Sequence, residues 1–157
     1  MNFVFLTALK AEAIPIIKTF GLIKDPNSHL YQNNNIFLCI TGVGKEKTTY
    51  RLEKVSQFLK ELDSIVIINI GIAGGNPRKT VIGNMYLIRS IIDDETNKTI
   101  TLNRFENHPF EEIELSTVSK GVTDKGKQYK GLVDMEGSSI YDVMTRKVSP
   151  DRMLFLK

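Results

Sequence analysis

Tryptophan is absent from this chain, cysteine occurs once and histidine only twice. A single cysteine excludes an internal disulfide and fits a reducing compartment. Cys39 lies in an apolar run and reads as core; neither His29 nor His108 shares with it a motif of catalytic thiols. No apolar run approaches the roughly 18 residues needed to span a bilayer. The opening MNFVFLTALK has no basic start and no small-residue cleavage site, so it does not read as a signal peptide. A membrane partner is not expected, and a cytoplasmic location is. Charge of one sign is lacking as well. The 21 Lys and Arg interleave with 18 Asp and Glu for a net charge of +3. With no basic run to track phosphates, nucleic acid is not an expected partner. No metal site and no cofactor is read from the chain.

What is present suits one domain of ordinary size. The chain has 157 residues, 41% apolar and 25% charged. A β-prone run covers 2–7. A helical stretch follows over 10–20, closed by Gly21; Pro15 suggests that the helix proper starts near Ile14, with the proline in its first turn. Turn formers fill 25–35 around a short strand at 29–32. A second buried strand spans 36–41, and Leu52, Val55, Leu59 and Leu62 repeat at helical spacing over 45–62. SIVIINI (64–70) is the most hydrophobic strand. A long bent strand is expected over 81–92, with a bulge at Gly83, and a short return over 99–102. Further strands are expected at 113–118, 130–133 and in the final MLFLK, with a lysine-rich loop at 123–127 and a helix over 138–145. Strands alternating with helices argue for an α/β sheet covered on both faces.

In such sheets ligands sit beyond the carboxyl ends of the strands. Four motifs of small or acidic residues fall there: TALKAE, TGVGK, NIGIAGG and VDMEGSS. None is a known phosphate loop. The P-loop pattern would put glycine at Cys39 and a hydroxyl residue at Glu46, and the dinucleotide fingerprint would put glycine at Lys47. A tight strand-to-helix turn explains each glycine loop; close backbone approach to a sugar or phosphate also explains it. Asp134 and Glu136 read first as helix-start acids, since capping signals are common, and second as ligand groups. Glu12 reads as a first-turn charge or as a site residue. Lys10, Lys45 and Lys47 read as surface charges.

As a set, ALKAEA (8–13), TGVGKEK (41–47), INIGIAGG (68–75) and VDMEGSSI (133–140) resemble the nucleoside phosphorylase and nucleosidase superfamily. The branch cleaving methylthioadenosine and S-adenosylhomocysteine, or futalosine, looks closest. The resemblance implies a single domain over 1–157. Its sheet would be mixed, mostly parallel and twisted, partly barrel-like, and flanked by helices. It implies loss of a purine base through an oxocarbenium-like state. That chemistry needs a carboxylate on the ribose hydroxyls, a group orienting water or phosphate, and an acid for N7 of the base. By position, Glu136 matches the ribose-binding glutamate, Met135 the residue packing on the sugar, and Glu12 the glutamate that binds water. Ala73, Gly74 and Gly75 match the loop lining the site; Ser119, Lys120, Gly121 and Val122 match the base pocket loosely. Arg78 and Arg89 are the phosphate candidates if the reaction is phosphorolysis.

Three departures stand out. Ile72 replaces a small hydroxyl residue, and Asn84 replaces an aspartate. MLFLK ends just before the serine-aspartate pair that supplies the general acid in relatives, so the last strand-helix segment is lacking. The resemblance therefore implies a nucleosidase that is weak or inactive, with two alternatives: a phosphate-dependent phosphorylase, or a non-catalytic nucleoside-binding or subunit-interaction protein. An uncovered sheet face would favour a homo-oligomer.

Overall fold

The computed structural model describes residues 1–123 and 126–157. Residues 124 and 125 of the expected lysine-rich loop lie outside the described residues. The chain forms a mixed α/β fold around one continuous sheet. Its first half contains β1 (Asn2–Thr7), α1 (Lys10–Phe20), β2 (Ile23–Lys24), β3 (Leu30–Asn33), β4 (Ile36–Ile40), α2 (Lys45–Leu59) and β5 (Ile65–Ile70). The second half contains β6 (Gly74–Gly75), β7 (Tyr86–Asp93), β8 (Lys98–Thr101), β9 (Glu111–Thr117), β10 (Leu132–Asp134), α3 (Gly137–Met144) and β11 (Met153–Leu156). The strand order is β2-β3-β4-β1-β5-β11-β7-β9-β10-β6, with β8 on β7.

Direction along this order decides where the site can be. β4, β1, β5 and β11 are mutually parallel. β7 is antiparallel to β11, and β9 and β10 follow β7 in parallel. The second set therefore runs opposite to the first. On a flat sheet their carboxyl ends would lie on opposite edges. The register pair Leu156↔Leu87 joins the sets, with Tyr86 and Lys157 exchanging backbone hydrogen bonds beside it. A hydrogen bond from Gly44, beyond β4, to Glu136, beyond β10, requires the sheet to curl between them.

α2 and α3 cover one face of the sheet; α1 covers the other only over β1 and β4, and there the alternate residues of β5 and β11 (Val66, Ile68, Ile70, Leu154 and Leu156) are half-buried. Leu52, Val55 and Leu59 of α2 and Ile140, Val143 and Met144 of α3 pack with Val4, Leu6, Ile67, Ile88 and Phe155. On the other face Ala13 of α1 packs with Leu22 and Leu38. The helical spacing of Leu52, Val55 and Leu59 thus marks a true core face, but α2 ends at Leu59, and Leu62 beyond it is only partly buried against the same core. Cys39 is buried in the main core, where burial pushes its thiol up to about 12, so it stays protonated and inert. Among the described residues no helix is long and apolar enough to cross a membrane.

Two expectations change. The first helix starts at Lys10, not near Ile14, and holds Pro15 inside it. Ala11 and Pro15 are both exposed, so water can serve the carbonyl that lacks its helical donor. The long strand begins at Tyr86; Val81–Asn84 form a turn, and the register shift falls between Ile88 and Ser90 rather than at Gly83. The Gly74–Gly75 strand, paired with β10, was not expected from pattern.

Phe155 is fully buried on β11, the strand that links the two directions of the sheet. Phe155→Ala is expected to lower stability by about 3–5 kcal/mol, read from the urea unfolding midpoint.

Candidate active site

Glu12 is held before any ligand arrives. Leu9 precedes the helix and offers no capping oxygen, so Glu12 reaches back from the first turn instead. Its Oε2 accepts from the Ala8 and Leu9 N–H groups at 2.9 and 2.8 Å. Its Oε1 accepts from the Ile72 N–H at 2.8 Å, which ties α1 to the loop after β5. That approach needs a glycine beside it: a Cβ on Gly71 would stand 3.0 Å from Oε1.

Glu136 makes the bond across the sheet. Its Oε1 accepts from the Gly44 N–H at 2.7 Å, while Oε2 has only a long 3.4 Å contact with the Met135 N–H. Gly44 follows β4 and Glu136 follows β10, so this contact exists only because the sheet curls. Gly44 adopts φ 93°, a conformation that favours glycine. The Glu136 carboxyl is buried, and its pKa is raised. Burial is the main cause, with Asp134 adding to it; the Gly44 N–H and Lys157 oppose it.

Asp134 does the structural work at the same corner. Its Oδ1 accepts from Thr117 Oγ1 at 2.8 Å. Its Oδ2 accepts from the Gly137 N–H and pairs with Lys157 Nζ, both at 2.9 Å. The Asp134–Lys157 pair is almost fully enclosed. The two acids thus divide the roles that the sequence left open: Asp134 caps α3, and Glu136 turns into the cavity.

That cavity, of about 410 Å³, is lined by Glu12, Ala73, Gly74, Gly121, Val122, Met135 and Glu136 among the residues expected there. Ile72, which replaces a small hydroxyl residue in the glycine loop, lines it too, as do Val43 and Val118, for which no such role was read. Gly75 lies instead in a neighbouring cleft of about 850 Å³, with Val81 and Ile82. Ser119 lines an adjoining pocket of about 400 Å³ with Lys45, Glu95 and Met135, outside the cavity itself. Lys120 is exposed. Arg89 points away, bonded to Glu112 at 2.9 Å, and Arg78 lines neither cavity. Lys45 is no free surface charge: it pairs with Asp93 at 2.8 Å and Glu95 at 2.7 Å. Among the described residues no group of three His, Cys, Asp or Glu is placed to hold a metal ion.

A mixed sheet with a two-glutamate cavity at the mouth of its glycine loops is the fold that this chain shares with solved nucleosidase and futalosine hydrolase structures. The apo 5′-methylthioadenosine nucleosidase of Arabidopsis thaliana superposes with a TM-score of 0.81 at 21% identity, over 99% of this chain and 80% of that one. The 5′-methylthioadenosine/S-adenosyl homocysteine nucleosidase of Campylobacter jejuni gives 0.76 at 17%, over 100% and 84%. Futalosine hydrolase of Helicobacter pylori gives 0.78 at 14%, over 100% and 86%. No protein-family model and no curated protein matches the sequence.

The raised Glu136 pKa has a stability consequence. The folded state binds this proton more tightly than the unfolded chain, so stability falls as pH rises from about 4.3, the ordinary glutamate value, to the raised one. The cost is fully present above that window. Glu136→Gln is therefore expected to raise the thermal midpoint at pH 7. The gain should shrink as the pH falls toward 4, followed by calorimetry across that range.

Proposed function

We propose that the cavity binds a purine nucleoside of the methylthioadenosine or S-adenosylhomocysteine type and directs water against its N-glycosidic bond. The observation that carries this reading is the meeting of Glu12, Glu136 and the 72–74 backbone around one cavity. When the C1′–N9 bond breaks, its electron pair leaves with the base and positive charge grows on the ribose. Glu136 Oε1 is occupied by Gly44, which leaves Oε2 to take the two ribose hydroxyls. A fixed carboxylate there counters the developing charge. Glu12 orients the attacking water, which adds to C1′ and gives its proton to the Glu12 carboxylate, while the departing base takes a proton from solvent. Burial of Glu136 strengthens its hold on a hydroxyl because little water competes.

The departing base needs a proton at N7. Among the described residues the cavity wall holds three carboxylates, and the third, Asp134, is committed to Thr117, Gly137 and Lys157. General acid catalysis contributes on the order of a hundred- to ten-thousand-fold, so these residues by themselves cleave slowly. That same commitment favours a second reading, a nucleoside-binding protein without turnover. Phosphorolysis has less support, since Arg89 is bonded away from the cavity.

The test is the purified 157-residue chain, assayed for methylthioadenosine binding by calorimetry and for adenine release. Binding that Glu136→Gln abolishes, with release at least a hundredfold slower than in the nucleosidases of like fold, is expected. Release at their rate would overturn slow cleavage; absence of binding would overturn the site.

A further inference from the structure

An acid outside the cavity, Asp93, touches both the helix start that follows the Gly44 donor and the helix start that follows Glu136. Asp93 ends β7 and is buried. Its Oδ1 accepts from the Glu95 and Thr96 N–H groups, both at 3.1 Å, and so fixes the turn after the strand. Its Oδ2 accepts from Ser138 Oγ at 2.6 Å and pairs with Lys45 Nζ at 2.8 Å. These two partners matter for where they sit. Lys45 is the first residue of α2 and follows Gly44, the donor to Glu136. Ser138 lies two positions beyond Glu136 in the first turn of α3. One carboxylate oxygen thus ties the residue after the donor to the turn after the acceptor.

We propose that Asp93 is a positioning residue for Glu136: through Lys45 and Ser138 it fixes the starts of α2 and α3 so that the Gly44 N–H meets Glu136 Oε1 and leaves Oε2 for the ligand. The consequence for nucleosides rests on the function proposed above; the geometric part does not. Asp93 suits the task because it stays ionised. Burial works against its charge, but Lys45, Ser138 and the Thr96 N–H outweigh burial and hold it far below the usual carboxylate range. Lys45 is held charged in turn by Asp93 and Glu95, against its own burial.

The test needs no ligand. The Gly44 amide resonance, followed against pH in the free protein, reports the Glu136 titration because its N–H donates to that carboxylate. The charged groups around Glu136 are Asp134 and Lys157 beside it, Glu12 across the cavity, and Lys45 next to Gly44. Asp93→Asn removes a negative charge, and that change alone would lower the midpoint. Loss of the Gly44 donor raises it. An upward shift of roughly 0.5–1 pH unit in Asp93→Asn therefore isolates positioning from charge. Ser138→Ala changes no charge, serves if Asp93→Asn does not fold, and is expected to shift the midpoint the same way. Lys98→Ala breaks the exposed pair with Asp142 on the same helix and should leave it unchanged. In calorimetry Asp93→Asn should bind methylthioadenosine about tenfold more weakly, the loss of one hydrogen bond to a charged group. An unmoved or lowered midpoint in folded Ser138→Ala overturns the positioning role whatever the nucleoside does. A raised midpoint in a chain whose wild type binds no nucleoside sustains positioning and overturns only the proposed function.

Discussion

The Gly44 N–H donated to Glu136 joins the two halves of a sheet whose strands run in opposite senses. Everything functional in the fold depends on that crossing. β1, β4 and β5 deliver Glu12 and the glycine loops to one edge, and β10 delivers Glu136 from a strand directed the other way. Curling brings the edges together, and the charge-assisted bond fixes their spacing at 2.7 Å. Glu12 does the equivalent job on the near side, bonding α1 to the Ile72 backbone. The cavity is therefore walled by segments held through carboxylate–backbone bonds, which tolerate little slack in distance and direction.

Burying charge to build a site has a thermodynamic consequence, and the chain shows two ways of meeting it. Asp134 and Lys157 compensate each other almost entirely out of solvent, with Thr117 and the Gly137 N–H taking the remaining acceptor capacity. A buried pair so completely bonded is costly to break, though it is not thereby a large source of stability. Glu136 is treated differently. It has one strong donor and, at its other oxygen, only a long contact, and burial disfavours its charge. A group left incompletely satisfied inside a fold is the expected mark of a place kept ready for a ligand.

Much of this was legible in the sequence, for identifiable reasons. Glu12, Ala73, Gly74 and Glu136 each follow a hydrophobic strand directly, and a strand's end fixes where its next residues go. The core face of α2 was legible because Leu52, Val55 and Leu59 repeat at the helical period. Other features depend on partners distant along the chain. Nothing in TGVGK announces that Lys45 meets Asp93, and nothing in MLFLK announces that Lys157 meets Asp134. Four motifs beyond strand carboxyl ends were expected to meet at one edge of the sheet; the reversed direction of β10 means that curvature, not a common edge, gathers them. Of the expected base-pocket run only Gly121 and Val122 reach the cavity, since neighbouring side chains in an irregular segment face different ways. Pro15 misled because its exposure, which makes it tolerable mid-helix, depends on tertiary packing.

The central claim is that Glu136 Oε2 grips the vicinal hydroxyls of a ribose. The most direct measurement compares the affinity of this chain for methylthioadenosine with that for its 2′,3′-dideoxy analogue at neutral pH. Loss of hydrogen bonds to a buried carboxylate predicts at least about a tenfold weaker analogue. Equal affinity for the two would contradict the account, because the cavity would then be holding its ligand without using the glutamate around which it is built.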